Sequence, residues 1–170
     1  NQIGANDNLI FDGNSFILDK NGSKIKQLKS FSEDLSSWEI EQTKPEKNEF
    51  ENSEMSSIFD ALVLGVKDYA KKCGFKTALV GLSGGIDSAL VSAIATAALG
   101  SDNVYCVSMP SKWSSSHSKS DAKDLARRLK ISFKSIPIEN LMTSFEESFI
   151  KTISFEMAEI TNQNIQSRIR

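Results

Sequence analysis

From residue 55 onward the apolar positions alternate between two spacings, one helical and one extended. Met55, Ile58, Phe59, Leu62, Val66, Tyr69, Ala70 and Cys73 recur every three or four residues, and Gly74 follows. That pattern predicts a helix closed by a left-handed glycine. Residues 77–82 are a short apolar run without alternation, which predicts a strand buried on both faces. A helix is expected over 88–99, ended by Gly100, then a second buried strand over 104–109 and a third over 133–138. Between the last two, Ser118 and Asp121 look like a capping-box start for a helix carrying Ala122, Leu125, Ala126 and Leu129. Leu141, Phe145 and Phe149 mark a further helix, with both phenylalanines expected in the core. Strands alternating with helices in this way predict an α/β domain with a doubly wound parallel sheet.

The region before it has another texture. Residues 1–42 read as β and turn: 15–18 and 24–28 alternate on either side of Asp19-Lys20-Asn21-Gly22. Asn-Gly between alternating segments is a strong hairpin signal. A lone hairpin is marginal in water, so this segment is expected to lean on a domain that is mostly missing here. Residues 43–54 are polar and acidic with almost no apolar content, which is linker composition, and the domain boundary is placed there. The second domain then runs over 55–170. Both ends read as cuts through a longer protein: Asn1 enters a loop-like stretch, and Ile169-Arg170 stops within an apparent helix without a capping glycine.

Composition narrows the partners. Charged residues are 25% and apolar residues 39%, the balance of a soluble globular protein, and the net charge of −2 offers no basic surface for nucleic acid. No apolar run approaches the ~18 residues that span a bilayer, so no membrane association is expected. Cys73 and Cys106 are far apart and form no CxxC, which argues against a disulfide framework or a zinc site. Both are expected as buried apolar fillers, and a reducing cytoplasm is the expected location. His117, the only histidine, is expected as a solvent-exposed loop residue.

The chemistry concentrates in Gly81-Leu82-Ser83-Gly84-Gly85-Ile86-Asp87-Ser88, where the first parallel strand runs into a helix. The carboxyl end of such a strand is where open α/β sheets bind ligands, and a helix N-terminus there offers unpaired N–H groups to an anion. Gly84 and Gly85 let backbone come close to a ligand, and Ser83 and Ser88 add hydroxyl donors. Asp87 is a poor neighbour for bare phosphate, but a good one if Mg²⁺ lies between the two. A Walker loop is excluded because Gly85 is followed by Ile86-Asp87 rather than Lys-Ser/Thr, and the Gly81/Gly84/Gly85 spacing is no dinucleotide fingerprint. An ordinary turn with an ordinary N-cap is the competing reading. Such a turn does not need two glycines, flanking serines and an aspartate in this order.

The segment Ser83-Gly84-Gly85-Ile86-Asp87-Ser88 resembles the ATP-pyrophosphatase loop. The resemblance implies an adenine-nucleotide α-hydrolase-like fold and cleavage of ATP between its α- and β-phosphates. Three further stretches are similar to glutamine-dependent NAD synthetases: Met109-Pro110-Ser111-Lys112-Trp113-Ser114-Ser115, then Asn164-Ile165-Gln166-Ser167-Arg168-Ile169-Arg170, and the N-terminal region from Asn1 to Phe16. The last looks like the end of a nitrilase-type glutaminase domain. This resemblance implies ATP-dependent amidation of deamido-NAD through an adenylate, releasing AMP and pyrophosphate, with ammonia from glutamine and a homo-oligomeric assembly. It further implies ATP binding by Gly81, Leu82, Ser83, Gly84, Gly85, Ile86, Asp87, Ser88, Met109 and Ser115, with Ser83, Asp87 and Ser88 catalytic and Asp87 on Mg²⁺. Asn164, Arg168 and Arg170 would contact deamido-NAD, where a guanidinium fork suits phosphates and a carboxylate. A solvated helix face is the competing reading of the two arginines. Trp113, in a serine-rich loop, is a candidate cover for a ligand. Two rival functions remain: another enzyme with the same loop, GMP-forming or tRNA-thiolating, and a nucleotide-binding module without turnover.

Overall fold

The computed structural model of the chain describes residues 1–39, 53–153 and 159–170, so most of the linker expected at 43–54 lies outside the described residues. The chain divides into two compact units, residues 1–76 and 77–170.

The first unit holds two antiparallel hairpins and one long helix. Strands β1 (Ile3–Asn6) and β2 (Leu9–Asp12) pair in register Ile3 to Asp12 and Asn6 to Leu9, around a turn in which Asp7 has φ 51°. Strands β3 (Phe16–Leu18) and β4 (Lys24–Gln27) form the hairpin expected from sequence. Its turn is held by the Asp19 carboxylate, whose Oδ1 accepts from the backbone N–H groups of Asn21 and Ser23, both at 2.8 Å. An Asp bonding its own turn in this way is why the residue recurs at such corners.

Helix α1 (Glu54–Cys73) starts at Ser53, whose hydroxyl accepts from Ser56 N–H at 3.2 Å. It ends where Gly74 turns left-handed at φ 74° and its N–H reaches the carbonyls of Ala70 and Lys71. The helix packs on β1 and β2: Asp68 Oδ2 accepts from Ala5 N–H at 2.8 Å, and Lys72 Nζ donates to the Ala5 carbonyl. At Gly65 the missing side chain leaves room for Ile10, whose Cδ1 would lie 3.2 Å from a Cβ. The N-terminal hairpin therefore leans on α1 itself, a helix that the sequence pattern assigns to the second domain. Cys73 is exposed rather than buried, because the last turn of α1 presents it to solvent.

The second unit is a parallel α/β layer. Strands β5 (Ala78–Gly81), β6 (Val104–Ser108) and β7 (Ser132–Ser135) lie in the order β5-β6-β7, all parallel. Helix α2 (Ile86–Leu99) connects the first pair and helix α3 (Ser116–Leu129) the second, and α4 (Glu139–Ile153) and α5 (Glu159–Ile169) follow. The core joins Leu82, Val104 and Cys106 from the sheet side to Ala95, Ala122 and Ala126 from α2 and α3, with Ile131 beside them. Three small alanines let both helices come close to the strands, and dense packing of this kind is what makes single core truncations costly.

Several details depart from the sequence pattern. β5 is half-buried, not buried on both faces: it is an edge strand, and Leu79 is 74% exposed on the face opposite α2. The N-cap of α3 is Ser115, whose Oγ accepts from Ser118 N–H at 3.0 Å, so the cap lies three residues before the expected one. That start takes His117 out of the loop and into the first turn of α3, where it is exposed. Phe145 is 48% exposed rather than core: the buried residues here are Met142 on α4 and Ile138 just before it.

Candidate functional site

A cleft of about 640 Å³ opens at the carboxyl ends of β5 and β6. Gly81, Leu82, Ser83 and Gly85 form one wall, Val107, Ser108, Met109 and Pro110 a second. Trp113, Ser114, Ser115, Ser118, Lys119, Gln166 and Arg170 complete it. All lie in the second unit. The sheet puts the cleft there because β5 and β6 pair in register through Gly81 and Val107, and both strands then leave the sheet side by side.

Two serines shape the turn after β5. Ser88 Oγ accepts from Ser83 N–H at 3.2 Å and donates to the Gly85 carbonyl at 3.0 Å. Ser83 Oγ lies 3.0 Å from Ser88 Oγ and accepts from Gly85 N–H at 3.2 Å. The loop is thus braced by its own hydroxyls before any ligand arrives. Gly85 is the N-cap of α2, extended at φ −86° and ψ 161°, and gives no side-chain cap. The first-turn N–H groups of α2 therefore lack the usual serine or aspartate partner and stay available to an anion.

Gly84 serves a different contact from the one its sequence position suggests. It sits at φ 89°, and a Cβ there would meet the carbonyl oxygen of Ser118 at 2.2 Å and its Cα at 2.7 Å. Its missing side chain lets the loop touch the first turn of α3, which draws the N-terminal ends of α2 and α3 together.

The remaining sequence candidates fall into three groups. Gly81, Leu82, Ser83, Gly85, Met109, Ser115 and Arg170 line the cleft. Gly84, Ile86, Asp87 and Ser88 flank it without lining it; Asp87 is exposed in the first turn of α2. Asn164 and Arg168 are exposed and away from the cleft lining. They lie two residues from Gln166 and Arg170, which on a helix is close to the opposite face.

Gln166, like Ser114, Ser118 and Lys119, lines the cleft without having been assigned a role from sequence. With its amide oriented by its donors, its oxygen accepts from Arg170 Nη2 at 2.7 Å, from Arg170 Nη1 at 3.1 Å and from Ser111 Oγ at 3.1 Å. Arg170 Nε also donates to the Met109 carbonyl at 3.2 Å and its Nη2 to Ser114 Oγ at 3.3 Å. The end of α5 is therefore fastened to the loop that follows β6. The signal for Gln166 was its place one turn before Arg170, which aligns the two side chains on one stripe. Beside this loop, Lys112 Nζ stands 4.5 Å from the centre of the Trp113 ring, a cation–π contact that restrains the tryptophan at the rim.

Among the described residues no three His, Cys, Asp or Glu side chains gather as a metal cluster. A lone carboxylate still suits Mg²⁺, which keeps several waters and takes one or two carboxylates together with substrate phosphates. Asp87 meets that need: exposed, beside the braced turn, with no ion-pair partner among the described residues. No described helix is long and apolar enough to cross a membrane.

Known proteins match this architecture along its length. The family model for NAD synthase matches residues 58–170. The chain is 42% identical, over its full length, to a glutamine-dependent NAD(+) synthetase of Synechocystis sp., of which it covers 31%. It is 39% identical to the one from Rhodobacter capsulatus, covering 32% of it. The structure superposes on the glutamine-dependent NAD+ synthetase of Acinetobacter baumannii in complex with adenosine diphosphate with a TM-score of 0.88 and 36% identity, over 99% of this chain and 33% of that one. The chain spans about a third of the length of the curated relatives it matches.

Proposed function

The chain belongs to the NAD synthase family, and from that premise we propose that it supplies the nucleotide-binding part of a glutamine-dependent NAD synthetase. The reaction is ATP-dependent amidation of deamido-NAD to NAD through an adenylate, with AMP and pyrophosphate released. In the whole protein glutamine is the source of ammonia. The observation that carries this reading is the cleft itself, open at the tips of two parallel strands beneath a braced glycine turn, in a chain whose ADP-bound relative shares its fold.

Each chain residue has a physical task in this reading. The backbone of Ser83 to Gly85 and the first turn of α2 receive the phosphates, because their N–H groups stabilise negative charge without rearranging when it grows. Met109, at the end of β6, and the Gly81 backbone form the flat apolar wall for the base; the Met109 methyl would lie 3.7 Å from a Cβ at Gly81. Asp87 would hold Mg²⁺, which when bound neutralises charge on the departing pyrophosphate. Arg170 carries the positive charge of the far wall toward the deamido-NAD side, with Asn164 and Arg168 assigned to the same substrate by family resemblance. A cytoplasmic homo-oligomer completes the proposal.

The test is pyrophosphate release from ATP by the full-length protein. Release that requires deamido-NAD supports the proposal; release driven by xanthosine monophosphate or tRNA, or none with any acceptor, refutes it.

A further inference from the structure

Among the described residues two cationic side chains line the cleft, Lys119 and Arg170, and no side-chain carboxylate lines it. Their situations differ. The Arg170 guanidinium is committed to the Met109 carbonyl, the Ser114 hydroxyl and the Gln166 amide oxygen. The Lys119 ammonium has no hydrogen-bond or ion-pair partner among the described residues.

Local helix physics gives no reason for a lysine at this place. Ser115 is the N-cap of α3, so Lys119 stands just past its first turn, where the helix end is already partly positive. No acidic residue occupies that turn, whereas Arg127 and Arg128 occupy the last turn, where cations are favoured. The contact between Gly84 and the Ser118 backbone adds the N-terminus of α2 to the same corner. Two helix N-termini and an unpartnered ammonium thus share one cleft, and each repels the others unless an anion enters.

We propose that Lys119 is a specificity-determining residue of the cleft: its ammonium takes the phosphate chain of the nucleotide and favours a triphosphate over an unphosphorylated adenosine. The inference rests on the nucleotide reading of the cleft. Arg170, with four of its five N–H donors on protein acceptors, sets the shape of the far wall, and the reach of the longer phosphate chain falls to Lys119.

Calorimetric titration of the full-length protein with ATP and adenosine in magnesium chloride separates the possibilities. The protein should bind ATP more tightly than adenosine. Lys119→Met should weaken ATP about tenfold, the size expected for one hydrogen bond to a charged group, and change adenosine by less than about twofold. Lys119→Arg should recover most of the ATP affinity. Because Lys119 is exposed, the melting temperature of both variants should match that of the parent protein. Unchanged ATP affinity in Lys119→Met, or equal losses for ATP and adenosine, overturns the inference and leaves the nucleotide reading standing. Failure of the parent protein to bind either ligand overturns both.

Discussion

The α-carbon of Gly84 lies so near the backbone of Ser118 that a Cβ would sit 2.2 Å from the Ser118 carbonyl oxygen. This one approach couples the turn after β5 to the first turn of α3. Backbone rather than a flexible side chain is the obstacle, so nothing nearby can yield cheaply.

Gly84→Ala is therefore expected to be strongly destabilising. The φ of 89° alone costs an alanine about 1–2 kcal/mol, and the clash adds to it. Urea unfolding should show a loss above about 2 kcal/mol, together with weakened nucleotide binding. Near-native stability in this variant would contradict the packing described. Gly85→Ala gives the comparison: Gly85 has ordinary extended backbone and its nearest contact is the Ser83 hydroxyl at 3.4 Å. It should lose far less.

Asp87 separates structure from chemistry. Its side chain is exposed in the first turn of α2, so Asp87→Ala should cost no more than the few tenths of a kcal/mol that an acidic residue contributes near a helix start. In the full-length protein the same substitution should abolish magnesium-dependent pyrophosphate release. Turnover at the parent rate would remove Asp87 from the metal role.

Gln166→Ala tests the fastening of α5. It removes an acceptor that takes two Arg170 donors at 2.7 and 3.1 Å and one Ser111 hydroxyl at 3.1 Å. Arg170 is exposed and its freed donors pass to water, so the loss should be about 0.5–1.5 kcal/mol locally, read as faster amide hydrogen exchange over residues 159–170. Exchange rates identical to the parent would mean that α5 is held by other contacts.

One pH effect follows from the surface of α3. Asp124 accepts from Arg127 Nη2 at 2.5 Å and from Arg128 Nε at 2.9 Å, and these bonds, Arg127 first, hold its carboxyl below the usual 3.8. A carboxyl depressed in the folded state contributes stability above its unfolded value and loses it as pH falls through the folded one. The contribution is therefore present at neutral pH and fades only below about 3.8. The group is fully exposed, so Asp124→Asn should barely move the melting temperature at pH 7. A carboxyl NMR titration should place the Asp124 midpoint below that of a free aspartate; an ordinary midpoint would show that the arginines do not engage it in solution.

Much of the fold was legible because its signals are local. The helix ending at Gly74, the hairpin around Asn21-Gly22, and the helix ending at Gly100 each rest on residues within one turn of one another. The β1–β2 hairpin was not legible as such. Its turn uses Asp7-Asn8 without a glycine, and the positive φ falls on Asp7. The start of α3 was misplaced because serines at 111, 114, 115, 116, 118 and 120 all present capping hydroxyls, and only backbone geometry selects Ser115. The exposed face of β5 was hidden because four residues with two small side chains carry no period. In the site, the braced turn is a local property and its residues stand next to one another in sequence. The contacts of Gly84 with Ser118 and of Arg170 with Met109 span 34 and 61 residues, and no spacing rule reaches that far.

The proposed function requires a nucleotide to enter the cleft at the tips of β5 and β6. Amide hydrogen exchange of the chain with and without saturating ADP tests that most directly. It should show protection over residues 81–88 and 107–119 and little change in the hairpins of the first unit. Binding without protection at those two segments, or protection confined to residues 1–39, would contradict it.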